Sequence, residues 1–169
     1  MRRFEKVKRI EAEIPLPKRA TEHSVGYDFF ALEDIVIEPV MHEARLAEAH
    51  GTVMYPTRIV DHGNIKPTII KTGVKALMEE DDCLQLCNRS SHPNKGLILA
   101  NGVGIIESDY YGNKDNDGEL MFAYINISNE PVYIKKGDKV GQGVFYKRLL
   151  TDDDNATGKR TGGFGSTGK

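Results

Sequence analysis

The chain has 169 residues, with 23 lysines and arginines against 25 aspartates and glutamates and a net charge of −2. That length suits one domain able to bury about two thirds of its unfolded surface. The near balance of charge argues against stable nucleic-acid or membrane binding, since neither partner would be held electrostatically, and no apolar run reaches the length of a membrane-spanning helix. The first residues, Met1–Lys8, are charged and lack the apolar core of a signal peptide, so a cytoplasmic protein is expected.

Strand and turn signals dominate from there. Phe4–Ile14 alternates in parts and is stopped by Pro15 and Pro17. Tyr27–Leu32 and Ile35–Ile37 are short β runs. The region 40–66 differs in composition from its flanks and reads as an insertion, within which the Ala, Leu and Glu content of Met41–His50 predicts a short helix ending before Gly51. Further strands are expected at Pro67–Ala76, Cys83–Cys87, Leu97–Leu99, Leu120–Ile127, Val132–Ile134 and Val140–Tyr146, each closed by Gly, Asn, Asp or Pro. Many short strands at close spacing predict an all-β barrel or jelly roll.

Cysteine and histidine usage carries little chemistry. Cys83 and Cys87 share one face of a strand, about 13 Å apart, whereas a disulfide needs Cα atoms within about 7 Å. They are expected to be small buried residues, and no zinc site is expected. His42, His50 and His62 fall in the insertion at spacings that fit no metal motif, and read as exposed polar residues. His23 and His92 read as turn residues.

Four clusters have a composition suited to a phosphorylated ligand. Residues Arg160–Lys169 hold four glycines, two cations and one aromatic. Glycine lets successive N–H groups point inward and cradle an anion, Arg160, Ser166 and Thr167 add donors that phosphate oxygens accept, and Phe164 offers a stacking face. Asn88–Ser91 leaves the Cys83–Cys87 strand with an arginine and two hydroxyls, a junction that suits a diphosphate. Asn101–Gly112 forms a hairpin with two glycines near its start, acids at Glu107 and Asp109 and a Tyr110–Tyr111 pair. Its glycines allow a small planar ligand close to the backbone. Lys136–Gln142 is a turn into a strand, where Gln142 serves a ligand or caps a neighbour.

Taken in chain order, with Val25–Ala31 ahead of them, the four clusters resemble the five motifs of the trimeric deoxyuridine triphosphatases (dUTPases). The first is matched by Val25–Ala31, the second by Arg89–Ser91, the third by Asn101–Gly112, the fourth by Gly137–Gln142 and the fifth by Arg160–Gly168. The insertion and the lengthened turn Lys114–Gly118 make the chain similar to forms from Gram-positive bacteria and their phages. The resemblance implies a jelly-roll-like β barrel over residues 1–158, interrupted by the 40–66 insertion with its short helix, and a mobile glycine-rich motif at 159–169 that closes the active site. It implies a homotrimer whose three sites each draw motifs from all three subunits. The implied reaction is hydrolysis of dUTP to dUMP and pyrophosphate with Mg²⁺ as cofactor, by attack of a carboxylate-activated water on the α-phosphorus.

Residue by residue, the resemblance assigns Asn101, Gly104 and Ile105 to backbone recognition of uracil, Tyr110 to the deoxyribose and Phe164 to stacking on the base. Arg89, Ser90, Ser91 and Gln142 would hold the phosphate chain, Arg160, Ser166 and Thr167 the γ-phosphate, and Asp28 would support the metal through water. Glu107 stands where the family usually has Asp and is the expected base, with Asp109 in reserve because a regular strand would place both on one face. The tail arginine commonly lies where this chain has Lys159, and Arg160 is the expected substitute. Two other readings stay open. A dCTP deaminase shares the fold, but its base would need an acid in Met121–Ile125, which has none. A nucleotide-binding regulator acting through a protein partner, such as a bacterial repressor for a phage-encoded chain, would use the insertion as its surface.

Overall fold

The structure, a computed structural model, describes residues 1–44, 57–60, 65–158, 160 and 162, with 41–44 and 57–60 described by their backbone. The chain forms strands β1 (Arg3–Lys6), β2 (Lys18–Arg19), β3 (Tyr27–Phe30), β4 (Ile35–Ile37), β5 (Met41–Ala44), β6 (Thr57–Val60) and β7 (Thr68–Lys71). There follow β8 (Val74–Leu77), β9 (Asp82–Cys87), β10 (Leu97–Leu99), β11 (Gly104–Glu107), β12 (Met121–Asn126), β13 (Val132–Ile134) and β14 (Lys139–Lys147). Two 3₁₀ turns, Pro93–Lys95 and Ser108–Tyr110, are the helical content of the described residues. No helix among them is long and apolar enough to cross a membrane.

The strands wrap one apolar core as a jelly-roll-like barrel. A five-stranded sheet runs β11-β9-β14-β3-β2 and a three-stranded sheet β10-β12-β7, with the pairs β1-β8 and β13-β4 completing the wrap. Alternation drives this arrangement: in β12, Phe122, Tyr124 and Asn126 point inward, and in β9 so do Asp82, Leu84 and Leu86. Phe4, Phe29 and Phe122 pack edge to face, Phe4–Phe29 at 5.4 Å and Phe29–Phe122 at 5.6 Å between ring centroids. Gly141 makes room for this cluster, since a Cβ there would lie 2.0 Å from Phe122 Cε1.

Several expectations need correction. Met41–Ala44 is not helical; it pairs antiparallel with Thr57–Val60, Met41 opposite Val60 and Ala44 opposite Thr57. Helix propensity is a weak prior, and a partner strand that satisfies the backbone overrides it; the rest of the expected helix, 45–50, lies outside the described residues, as do His50 and His62. The single run expected at Pro67–Ala76 is two strands turning at Gly73, whose φ of +70° suits glycine. Regular pairing in the Phe4–Ile14 run ends at Lys6. Cys83 and Cys87 are free and half-buried rather than buried, because they alternate with the inward Leu84 and Leu86.

Candidate active site

The hairpin Asn101–Glu107 places a strand at the rim of the five-stranded sheet. Gly102, at φ +69°, makes the tight entry, and Gly104 lets β11 approach β9 so closely that an added Cβ would lie 3.2 Å from Leu86 Cβ. Among the described residues β11 pairs only with β9, Gly104 opposite Leu86 and Glu107 opposite Cys83, so its other edge presents backbone donors and acceptors that no described strand covers. Beside it opens a cleft of about 420 Å³ lined by Asn101, Gly104, Ile105, Glu107, Tyr110 and Arg160, with Leu86, Ile106, Glu119 and Met121 behind them.

Charge converges at one end of this cleft. The Arg160 guanidinium bonds the Glu107 carboxylate through Nη2 and Asp109 through Nε, the latter at 2.8 Å, and lies 5.7 Å from the Tyr110 ring centroid. Partial burial alone would lower the Arg160 pKa, but the hydrogen bond to Asp109 and the charges of Glu107 and Asp109 outweigh that and raise it. The strand ends at Glu107, so Asp109 sits in the 3₁₀ turn and not on the same strand face, contrary to the alternation argument. The two carboxylates nevertheless meet on one guanidinium.

A second polar group lies on the same sheet but outside the cleft lining. Asp28 of β3 and Gln142 of β14 are paired in register, and the buried Asp28 carboxylate accepts from Lys139 Nζ at 2.7 Å and Gln142 Nε2 at 3.1 Å. Burial pushes the Asp28 carboxyl up; the bonds from Lys139 and Gln142, with the Lys139 and Arg89 charges, overcome it and hold the group below the usual aspartate range. Gln142 also pairs in register with Cys87, and the chain then turns through Arg89, Ser90 and Ser91.

That turn is braced from inside by Asn88, His92 and Tyr124. Asn88 Oδ1 accepts from the Arg89 N–H at 2.9 Å and lies 2.9 Å from His92 Nδ1 and 3.0 Å from the Tyr124 hydroxyl. Tyr124 donates to the Val140 carbonyl at 2.7 Å. His92 lies in the turn, as expected, but is buried there at 2% exposed, and burial, with the Arg89 and Lys95 charges, lowers its pKa to about 4. The lengthened turn Lys114–Gly118 is tied into the fold through Asn116, which donates to the Tyr110 hydroxyl, and Asp117, which accepts from Lys75. Local sequence does not reveal these contacts, because the partners lie up to 109 residues away.

The structure thus gathers Asn101, Gly104, Ile105, Glu107, Asp109, Tyr110 and Arg160 at or beside the cleft, and Asp28 and Gln142 in a separate row beside the Arg89–Ser91 turn. Phe164, Ser166, Thr167 and Lys159 lie outside the described residues. Among the described residues no three His, Cys, Asp or Glu side chains converge to hold a metal ion.

A family model described as dUTPase matches residues 53–168. The deoxyuridine 5'-triphosphate nucleotidohydrolase of Lactococcus lactis subsp. lactis (strain IL1403) is 42% identical over 172 aligned positions, covering 99% of this chain and 98% of its own. The protein of the same description from Shewanella halifaxensis (strain HAW-EB4) is 33% identical, over 95% of this chain and 91% of its own. Among solved structures, the dUTPase from Streptococcus mutans matches with a TM-score of 0.69 at 35% identity, covering 88% of this chain and 98% of that one.

Proposed function

The chain belongs to the dUTPase family and hydrolyses dUTP to dUMP and pyrophosphate, and from that premise we propose how its residues divide the work. The observation that carries the assignment is the meeting of Glu107, Asp109 and Arg160 at the end of a cleft walled by an edge strand and Tyr110.

Uracil is recognised by the uncovered edge of β11 around Gly104 and Ile105, with Asn101 at the mouth, because an edge strand offers alternating donors and acceptors as a base does. Tyr110 meets the deoxyribose. Glu107 is the base: it accepts a proton from the water that attacks the α-phosphorus, the P–O bond to the β-phosphate breaks, and pyrophosphate leaves. Asp109 is the reserve for that role. Before nucleotide binds, Arg160 neutralises both acids. A triphosphate is the stronger anion, so it draws the guanidinium away, frees Glu107 to accept the proton, and gains a charge-assisted clamp on its γ-phosphate. Ser166, Thr167 and Phe164 complete that closure.

The phosphate chain is held by Arg89, Ser90, Ser91 and Gln142. Gln142 lies opposite Cys87, while Glu107 lies opposite Cys83 of the same strand, which separates the two rows by about 13 Å along β9. That separation supports a homotrimer in which the cleft of one copy faces the Asp28–Gln142 row of another. Mg²⁺ keeps much of its water and takes oxygen from phosphates, so it needs no cage of protein carboxylates. When bound, it neutralises charge on the triphosphate; Asp28, held ionised beside Gln142, is the carboxylate that would support it through water.

The test is pyrophosphate release from dUTP beside dTTP, dCTP and UTP with Mg²⁺. Selective turnover of dUTP is expected. Binding of dUTP without turnover would contradict the assignment of Glu107.

A further inference from the structure

Tyr110 is anchored by the turn that follows it. Its ring lines the cleft, yet the residue as a whole is 6% exposed, and its hydroxyl points away into the turn 113–119. There Asn116 Nδ2 donates to the Tyr110 hydroxyl at 2.6 Å, and that hydroxyl reaches the Glu119 carbonyl at 3.5 Å. A phenol has one proton to give and accepts in return, so this one turn supplies both kinds of partner.

The turn itself is held from several sides. Asn116 Oδ1 accepts from the Gly118 N–H at 3.0 Å, which fixes the direction of the amide. Gly118, at φ +80°, packs so closely that a Cβ would lie 2.6 Å from the Tyr110 carbonyl oxygen. Asp117, itself at φ +59°, accepts from the Lys8 N–H at 2.7 Å and from the buried Lys75 at 2.9 Å. The Glu119 carboxylate accepts from Arg9 and from the Gly73 N–H. Asn116 is therefore pinned by backbone and by two ion pairs, and the cleft wall leans on it.

We propose that Asn116 is a positioning residue for sugar selection, stiffening Tyr110 so that the cleft rejects a ribonucleotide. The proposal rests on the reading of Tyr110 as the wall that meets the deoxyribose. Rejecting a hydroxyl by shape requires a wall that cannot give way, because pockets that yield discriminate poorly against one added group. The amide holds the ring from its hydroxyl end and does not line the cleft.

The test measures kcat and KM for dUTP and UTP in Asn116→Ala, Tyr110→Phe, the double variant and Tyr110→Ala. Asn116→Ala should lower the dUTP:UTP ratio of kcat/KM about tenfold, the worth of one buried hydrogen bond, through a lower KM for UTP with kcat on dUTP little changed. Tyr110→Phe keeps the ring and removes the acceptor, so it should give the same loss, and the double variant no more than either single one. Tyr110→Ala should lower the ratio as well. An unchanged ratio in Tyr110→Ala removes the reading of Tyr110, and the proposal with it. A lowered ratio there, with selectivity intact in Asn116→Ala or activity on both nucleotides falling alike, overturns the role of Asn116 alone.

Discussion

Acid should loosen this protein through His92 before it does so through its carboxylates. The ring is 2% exposed, and burial, with the charges of Arg89 and Lys95, moves its pKa from 6.5 to about 4. In the fold it stays neutral while an unfolded chain takes up the proton, so the unfolded state binds more protons and stability rises with pH across that interval. The contribution is complete above pH 6.5, shrinks as the pH falls, and is gone near pH 4. At about 1.4 kcal/mol per pH unit, the loss across the window is about 3 kcal/mol, or roughly 6–12 °C in melting temperature for a domain of this size. Asp28, Asp82 and Asp117 are held below the ordinary aspartate value of 3.8, so their contributions are lost only as the pH falls further, through their folded values. Melting curves from pH 7 to 4.5 should therefore fall steeply in the wild type and much less in His92→Gln, which keeps a donor near Asn88 without titrating. A flat wild-type profile, or a variant as steep as the wild type, would refute the argument.

Glu107→Gln should lower turnover of dUTP by about 10²–10⁴ while nucleotide binding survives, because it removes a base and little else; if Asp109→Asn is the more damaging change, the role passes to Asp109. Arg160→Ala should cost no more than about 1 kcal/mol of stability, since Glu107 and Asp109 are both about half exposed and their pairing is screened. Its turnover should nonetheless fall about 100-fold or more through the lost phosphate clamp, seen by comparing pyrophosphate release with thermal melting. Gly141→Ala should destabilise by about 1–3 kcal/mol or fail to fold, because its Cβ would land 2.0 Å from the buried Phe122 ring; a melting temperature equal to the wild type would sink that packing account.

Strands bounded by clear turn signals were legible: Ile35–Ile37, Leu97–Leu99 and Val132–Ile134 appear with the limits their sequences suggest. Lys18–Arg19 was not, since two exposed cations carry no β signal and are strand only because they pair with Tyr27 and Asp28. Met41–Ala44 misled for the same reason, local propensity yielding to a partner 13 or more residues along the chain. The site shows the same division between kind and placement. Glycines, acids and arginines announce a phosphate-binding chemistry in order, but which of them meet depends on register, and register is a property of pairs.

That dependence has a consequence for the chemistry. Glu107 answers Cys83 and Gln142 answers Cys87, with β9 between their strands, so the acid and the Asp28–Gln142 row are offset both along and across the sheet. A shift of two residues in the β11–β9 pairing would preserve every inward and outward side chain and yet move Glu107 by about 7 Å. Hydrophobic patterning alone cannot select between those registers. In the observed register Gly104 faces Leu86, and a Cβ there would lie 3.2 Å from Leu86 Cβ, so a larger residue at 104 would require this neighbour to give by a few tenths of an ångström. A larger side chain at 104 would therefore strain the pairing that places Glu107 opposite Cys83.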